Sequence, residues 1–165
     1  MESRAKVAGH PAHPILVVFP LGLLLTSVSF DIIFLFNDNS TMAVVAYWMI
    51  TAGLLWGVIA AVPGLIDWMA IPAATRAKRI GLFHALGNVA VILLFGLSWW
   101  LRTDEPGHQP PTLALICSFA AFAVGGLSGW LGGELVDRLG VGVDPDAHLN
   151  APSSLSGRPA GEMSR

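Results

Sequence analysis

Six polar side chains in this sequence could hold a cofactor or move a proton, and their placement has to be explained. His10 and His13 stand in the string HPAHP, Asp67 ends a long apolar run, His84 and Asn88 are four residues apart, and Glu134 closes GWLGGE. Two imidazoles can take the axial positions of a haem iron between helices. Imidazoles with carboxylates can instead bind a bare zinc or iron ion. The same groups, joined by Arg76 or Arg79, can also do no more than satisfy one another as a polar network between helices. HExxH, CxxC and a histidine pair at i, i+4 are missing from the sequence, so a bare-ion site has little local support. Nothing supplies a nucleophile with its base or a phosphate-binding loop, and the chain is not expected to be an enzyme on its own.

Four long apolar runs must position these residues: Ile15–Phe36, Met42–Ile66, Ile80–Leu101 and Leu113–Gly133. A helix needs about 20 residues to cross a bilayer core of about 30 Å, and each run is near or above that length. The chain of 165 residues is 54% apolar and 12% charged, with a mean hydropathy of +0.65. Soluble domains usually carry about a quarter charged residues. Short connections force neighbouring helices to run antiparallel. The sequence therefore predicts an all-α fold, a polytopic membrane protein whose residues 1–143 form an antiparallel four-transmembrane-helix bundle in contact with the lipid bilayer. Residues 144–165, rich in Pro, Ser, Gly and Ala, read as a disordered tail. Nine basic against eleven acidic residues leave no broad basic surface for nucleic acid.

Arg4 and Lys6 precede the first run, Arg76, Lys78 and Arg79 separate the second from the third, and Arg138 follows the fourth; the alternate side has Arg102 alone. Basic residues resist translocation, so both termini are expected on the cytoplasmic side of a bacterial inner membrane. Trp48, Trp99 and Trp100 are then expected at the outer interface, and Trp68 and Trp130 at the inner one. Gly53 and Gly57, and Gly125, Gly129 and Gly133, recur at a spacing of four and are expected to bring helices together within the bundle.

This topology carries all six polar residues to the cytoplasmic end. His84 and Asn88 share a helical face one to two turns inside the membrane, whereas His13 sits at a helix start between Pro11 and Pro14. If a cofactor is bound, one b-type haem is expected there, with His84 and His13 as ligands, His10 and Glu134 nearby, and Asn88 and Asp67 orienting an imidazole N–H. Arg76 or Arg79 would meet the propionates. His108 and His148 lie in the outer loop and the tail, so one haem is the maximum. A redox role would need a partner protein, a quinone or a homo-oligomer. The competing readings are a scaffold protein with a purely structural network, a metal ion on His84 and His13, and a small-solute transporter. The apolar stretch between the cluster and Asp31 argues against the transporter. Asp31 itself lies about 8 Å below the outer interface at 1.5 Å per residue. Its carboxylate either reaches outward, bonds to a neighbouring helix, or handles protons or a ligand.

The strings HPAHPILVVFPLGLLLTSVSFD, GLIDW, TRAKRIGLFHALGNV and SGWLGGELVDRLGVGV resemble the bacterial membrane family catalogued as domain of unknown function 2231. The resemblance runs from His10 to Val143. It implies a four-helix membrane domain, joined in some relatives to a Rieske-type iron–sulfur domain, and so hints at electron transfer. On the matching positions it carries His10, His13, Asp31, Asp67, His84, Asn88 and Glu134. Where relatives commonly read RHGVGV, this chain has Arg138-Leu139-Gly140. A site built on that histidine would be lost here, and one built on His13 and His84 would not.

Overall fold

The computed structural model describes residues 1–162. Helices α1 (Ala12–Asn37), α2 (Ser40–Ala70), α3 (Arg76–Leu101) and α4 (Thr112–Gly133) account for the four apolar runs. All four are long and apolar enough to cross a membrane. Local chemistry sets their ends. Asn39 caps α2 by accepting from the Thr41 N–H at 3.0 Å, and Thr75 caps α3 by accepting from the Lys78 N–H at 3.1 Å. Ile71, extended as the residue before Pro72 must be, stops α2. This carries α2 one turn past Asp67, so the connection to α3 is only residues 71–75. Beyond α4 the chain makes a π turn over Glu134–Arg138.

At the N-terminus, strands β1 (Lys6–Val7) and β2 (His10–Pro11) form a tight hairpin. Ala8 and Gly9 turn it with φ of 49° and 81°, the double positive φ of a type I′ turn.

Large apolar side chains point outward, among them Phe36, Leu55, Val62, Leu93, Leu127 and Trp130, whereas the inside sets many alanines and serines around Leu24, Val28, Ile50, Val91 and Phe95. That inversion suits lipid, where helices are held together by close backbone packing. A Cβ at Gly53 would lie 2.6 Å from Leu24, and one at Gly57 2.5 Å from Ile92, so both glycines are needed for helix approach. The glycine repeat of α4 behaves otherwise. Gly125 meets Leu25 and Val91 at ordinary contact distance, but Gly129 has nothing within 4 Å of a Cβ position and Gly133 only the tip of Asp137; Ala114, Cys117, Ser118 and Ala121 line the inside. Trp99, two residues from the end of α3, faces the bundle, donating to Thr51 Oγ1 at 2.8 Å and stacking on Tyr47.

α1 packs most closely on α2 and α3 on α4, and the two hairpins meet through α2–α3 and more sparsely through α1–α4, which leaves α1 and α3 diagonal. The hairpins repeat one another. Buried residues of the first helix recur in the third at a constant offset of 71: Pro20 with Val91, Leu24 with Phe95, Ser27 with Ser98, and Asp31 with Arg102. Ala46, Ile50, Gly53 and Ala60 of α2 match Ala114, Ser118, Ala121 and Ser128 of α4, again at one constant offset. Helices of equal direction with equal inward faces define an approximate twofold axis along the bundle. The few identities at these positions hide the repeat from a reading of the sequence.

Candidate functional site

His13 and His84 obey the same offset and face each other across this axis, with ring centroids 6.3 Å apart and planes at 90°. Their surroundings are paired too. His13 Nδ1 lies 2.8 Å from the Ala60 carbonyl of α2, and His84 Nδ1 lies 2.8 Å from the Ser128 carbonyl of α4. A carbonyl oxygen can only accept, so Nδ1 carries the proton in both rings and Nε2 keeps its lone pair, the form in which imidazole binds a metal. Each ring rests against a glycine one turn beyond its carbonyl. A Cβ at Gly64 would lie 2.8 Å from His13 Nδ1, and one at Gly132 3.1 Å from His84 Cε1. The two rings are therefore fixed by equivalent cradles.

The cradles differ in one respect. Asn88, a turn along α3 from His84, donates from Nδ2 to His84 Nε2 at 3.0 Å. Ser128 ties the same helix pair again, its hydroxyl donating to the His84 carbonyl at 3.0 Å. Sequence reasoning overlooked Ser128, Ala60, Gly64 and Gly132. The repeated i, i+4 spacing of Ala60/Gly64 and Ser128/Gly132 was the available signal.

The other candidates at this end are spent on separate tasks. Asp67 accepts from the N-terminal segment: Ser3 Oγ at 2.7 and 2.9 Å, and the main-chain N–H groups of Arg4 at 2.7 Å and Ala5 at 3.1 Å. Glu134 accepts from Arg76 at 2.7 Å. His10 is exposed and meets the Ser154 hydroxyl at 3.1 Å. Arg79 is exposed. The six residues thus share one end of the bundle, but only His13, His84 and Asn88 form a cluster. Among the described residues no group of three or more His, Cys, Asp or Glu side chains could hold a metal ion.

At the far end, Asp31 answers its expectation by bonding to a neighbouring helix. Its carboxylate receives Arg102 in a two-pronged pair at 2.6 and 2.7 Å, with both side chains 0% exposed. Arg102 also donates to Ser98 Oγ and Ser118 Oγ at 3.1 Å, and Ser98 donates to the Ala114 carbonyl at 2.8 Å. His108, stacked on Tyr47 at 3.8 Å, lies 3.1 Å from the Arg102 carbonyl through Nδ1. Arg102, counted from the sequence as the lone basic residue of the outer side, is an interior residue. Among the described residues every buried side-chain polar atom has a partner.

Fold and site together define a polytopic membrane protein whose polar groups are gathered at two levels of a duplicated four-helix bundle. Over residues 9–145 the chain matches the family model described as a predicted membrane protein, DUF2231, and it belongs to that family. No curated protein and no solved structure matches it.

Proposed function

We propose that this membrane protein holds one b-type haem between His13 and His84 and serves as a one-electron component that works with a redox partner protein or a quinone. The observation that carries the reading is the matched imidazole pair. The two rings lie 6.3 Å apart, centroid to centroid, close enough for both side chains to serve one bound group. Both rings have Nδ1 tied to a main-chain carbonyl, the support that a metal-bound imidazole ordinarily has. Two protein ligands are too few for a structural zinc ion, which takes four. They suffice for an iron whose other positions are filled by a porphyrin. Bound there, haem would supply reversible one-electron chemistry. The chain's part is to fix the two rings, exclude water with its apolar walls, and release Asn88 from His84.

A second reading has its own support. Because Asn88 already occupies His84 Nε2, the cluster also works as a closed polar tie between hairpins, and the protein would then be a scaffold. Either way we place both termini on the cytoplasmic side of a bacterial inner membrane. With Arg102 buried, the basic residues left at the surface, Arg4, Arg76, Arg79 and Arg138 among them, gather at one end. An optical spectrum of protein purified from haem-sufficient cells separates the two functions. A Soret band with a sharpened α-band on reduction, lost in His84→Ala and in His13→Ala, is the expected result. A colourless protein that also takes up no added haem would establish the scaffold reading.

A further inference from the structure

The difference between the two cradles falls on the atoms that would bind a ligand. Both rings give their Nδ1 proton to a carbonyl, but their Nε2 atoms are treated unequally. His84 Nε2 accepts the Asn88 amide at 3.0 Å. The offset of 71 sets Val17 in α1 where Asn88 stands in α3, and a valine has no proton to give. Among the described residues His13 Nε2 has no hydrogen-bond partner. Every buried side-chain polar atom among them has one, so this nitrogen is not sealed off. His13 thus offers a free lone pair, and His84 offers one only when Asn88 lets go.

The two rings therefore rank as ligands. A metal gains His13 Nε2 without breaking anything. To gain His84 it must break a hydrogen bond between neutral groups, which weakens that second bond by about fivefold. Asn88 is carried four residues along the same helix, so it stays within reach of the ring and can recapture it. A group that displaces His84 from a metal has the Asn88 bond on its side. In these apolar surroundings an anion is penalised, whereas a small neutral molecule that dissolves in lipid is not.

We propose that Asn88 is a positioning residue that makes His84 the exchangeable ligand, so that a haem held here opens its His84 side to a neutral diatomic gas. The gas site rests on the haem reading; the hold of Asn88 on His84 does not, and the experiment separates them. Reduced holoprotein should bind carbon monoxide with loss of the sharpened α-band. Asn88→Val should bind it about fivefold more weakly, because His84 then competes unopposed. Reduced holoprotein that takes up no carbon monoxide overturns the gas site, and an affinity unchanged in Asn88→Val overturns the role of Asn88. If the unaltered protein binds no haem, the haem reading fails and the gas site with it. Carbethoxylation by diethyl pyrocarbonate, which attacks a free imidazole nitrogen, then decides the role of Asn88 alone when read by peptide mass spectrometry. Asn88→Val should quicken modification of His84 about fivefold and leave the rate at His13 as it was. An unmoved His84 rate overturns the hold. Should Asn88→Val fold poorly, Val17→Asn takes its place: it sets the same amide one turn from His13 and should slow modification there, and an unmoved His13 rate overturns the inequality of the two rings.

Discussion

Replacing Asp31 with asparagine removes the charge that faces Arg102 and leaves a guanidinium at 0% exposure with neutral acceptors only, one amide oxygen and two serine hydroxyls. Breaking a buried pair in this way costs about 3–5 kcal/mol, because the remaining charge stays desolvated. The repeat in the bundle makes a sharper test available. Asp31 and Arg102 occupy equivalent positions, so the exchanged variant Asp31→Arg with Arg102→Asp should rebuild the pair in mirrored order. In the original, Arg102 has Ser98 one turn behind it and Ser118 opposite. An arginine at 31 would find Ser27 one turn behind, but Ile50 stands where the symmetry would require the counterpart of Ser118. The exchange should therefore fall short by about one unsatisfied donor, or 1–3 kcal/mol, and be clearly more stable than either single substitution. Helical circular dichroism followed through an SDS titration in maltoside micelles measures the three differences. An exchanged variant no more stable than the weaker single one would refute both the value given to the pair and the equivalence of the two positions.

Further expectations concern the cradles, the N-terminal segment and the orientation. Gly64→Ala should push His13 off its carbonyl and destabilise by about 1–3 kcal/mol, Gly132→Ala by somewhat less, as overpacking of a close contact requires, whereas Gly129→Ala, with nothing near its Cβ, should be neutral in the same SDS titration. Lys6 is held above its ordinary value of 10.5 by hydrogen bonds to Asp144 and then Glu2. A raised folded value gives stability that is complete below 10.5 and disappears as pH rises through the raised value. A nitroxide at Val7 should therefore stay immobile through the neutral range and loosen only in strong alkali; loosening of the Lys6 tether near neutral pH would contradict this. A cysteine in place of Lys78 should react with impermeant maleimide from the cytoplasmic side of vesicles, and labelling from outside intact cells would reverse the orientation.

The sequence displayed its helices openly, because spans of lipid-facing length cannot be mistaken for soluble ones, and Ile71-Pro72 and Thr75 marked a break. The start of α1, the end of α2 and the start of α3 lay about a turn further out, since Ala12, Ala70 and the basic Arg76, Lys78 and Arg79 extend the helices at one end of the bundle. The partnership of Asp31 with Arg102 was hidden for a physical reason. Arg102 sits just past the last helical residue, where a cation reads as a loop charge, and only the inward turn of α3 takes it to 0% exposure. Convergence of polar residues on one end followed from alternating helix direction, yet which of them would touch did not. Asp67 and Glu134 were within reach of the imidazoles by depth alone, but they face the N-terminal segment and Arg76 instead. The glycine repeat of α4 misled because spacing says which residues share a face and not which way that face turns.

The opposite charges at the far end also govern which hairpins can pair. Two copies of the first hairpin, brought together about the same axis, would press Asp31 against Asp31 in a dry interior, and two copies of the second would do the same with Arg102. Like charges so placed cost several kcal/mol, so self-association of either half is penalised while their union is rewarded. The His13–His84 level carries no such instruction, being the same residue on both sides. One end of the bundle thus selects the partner, which leaves the other end free to be symmetric.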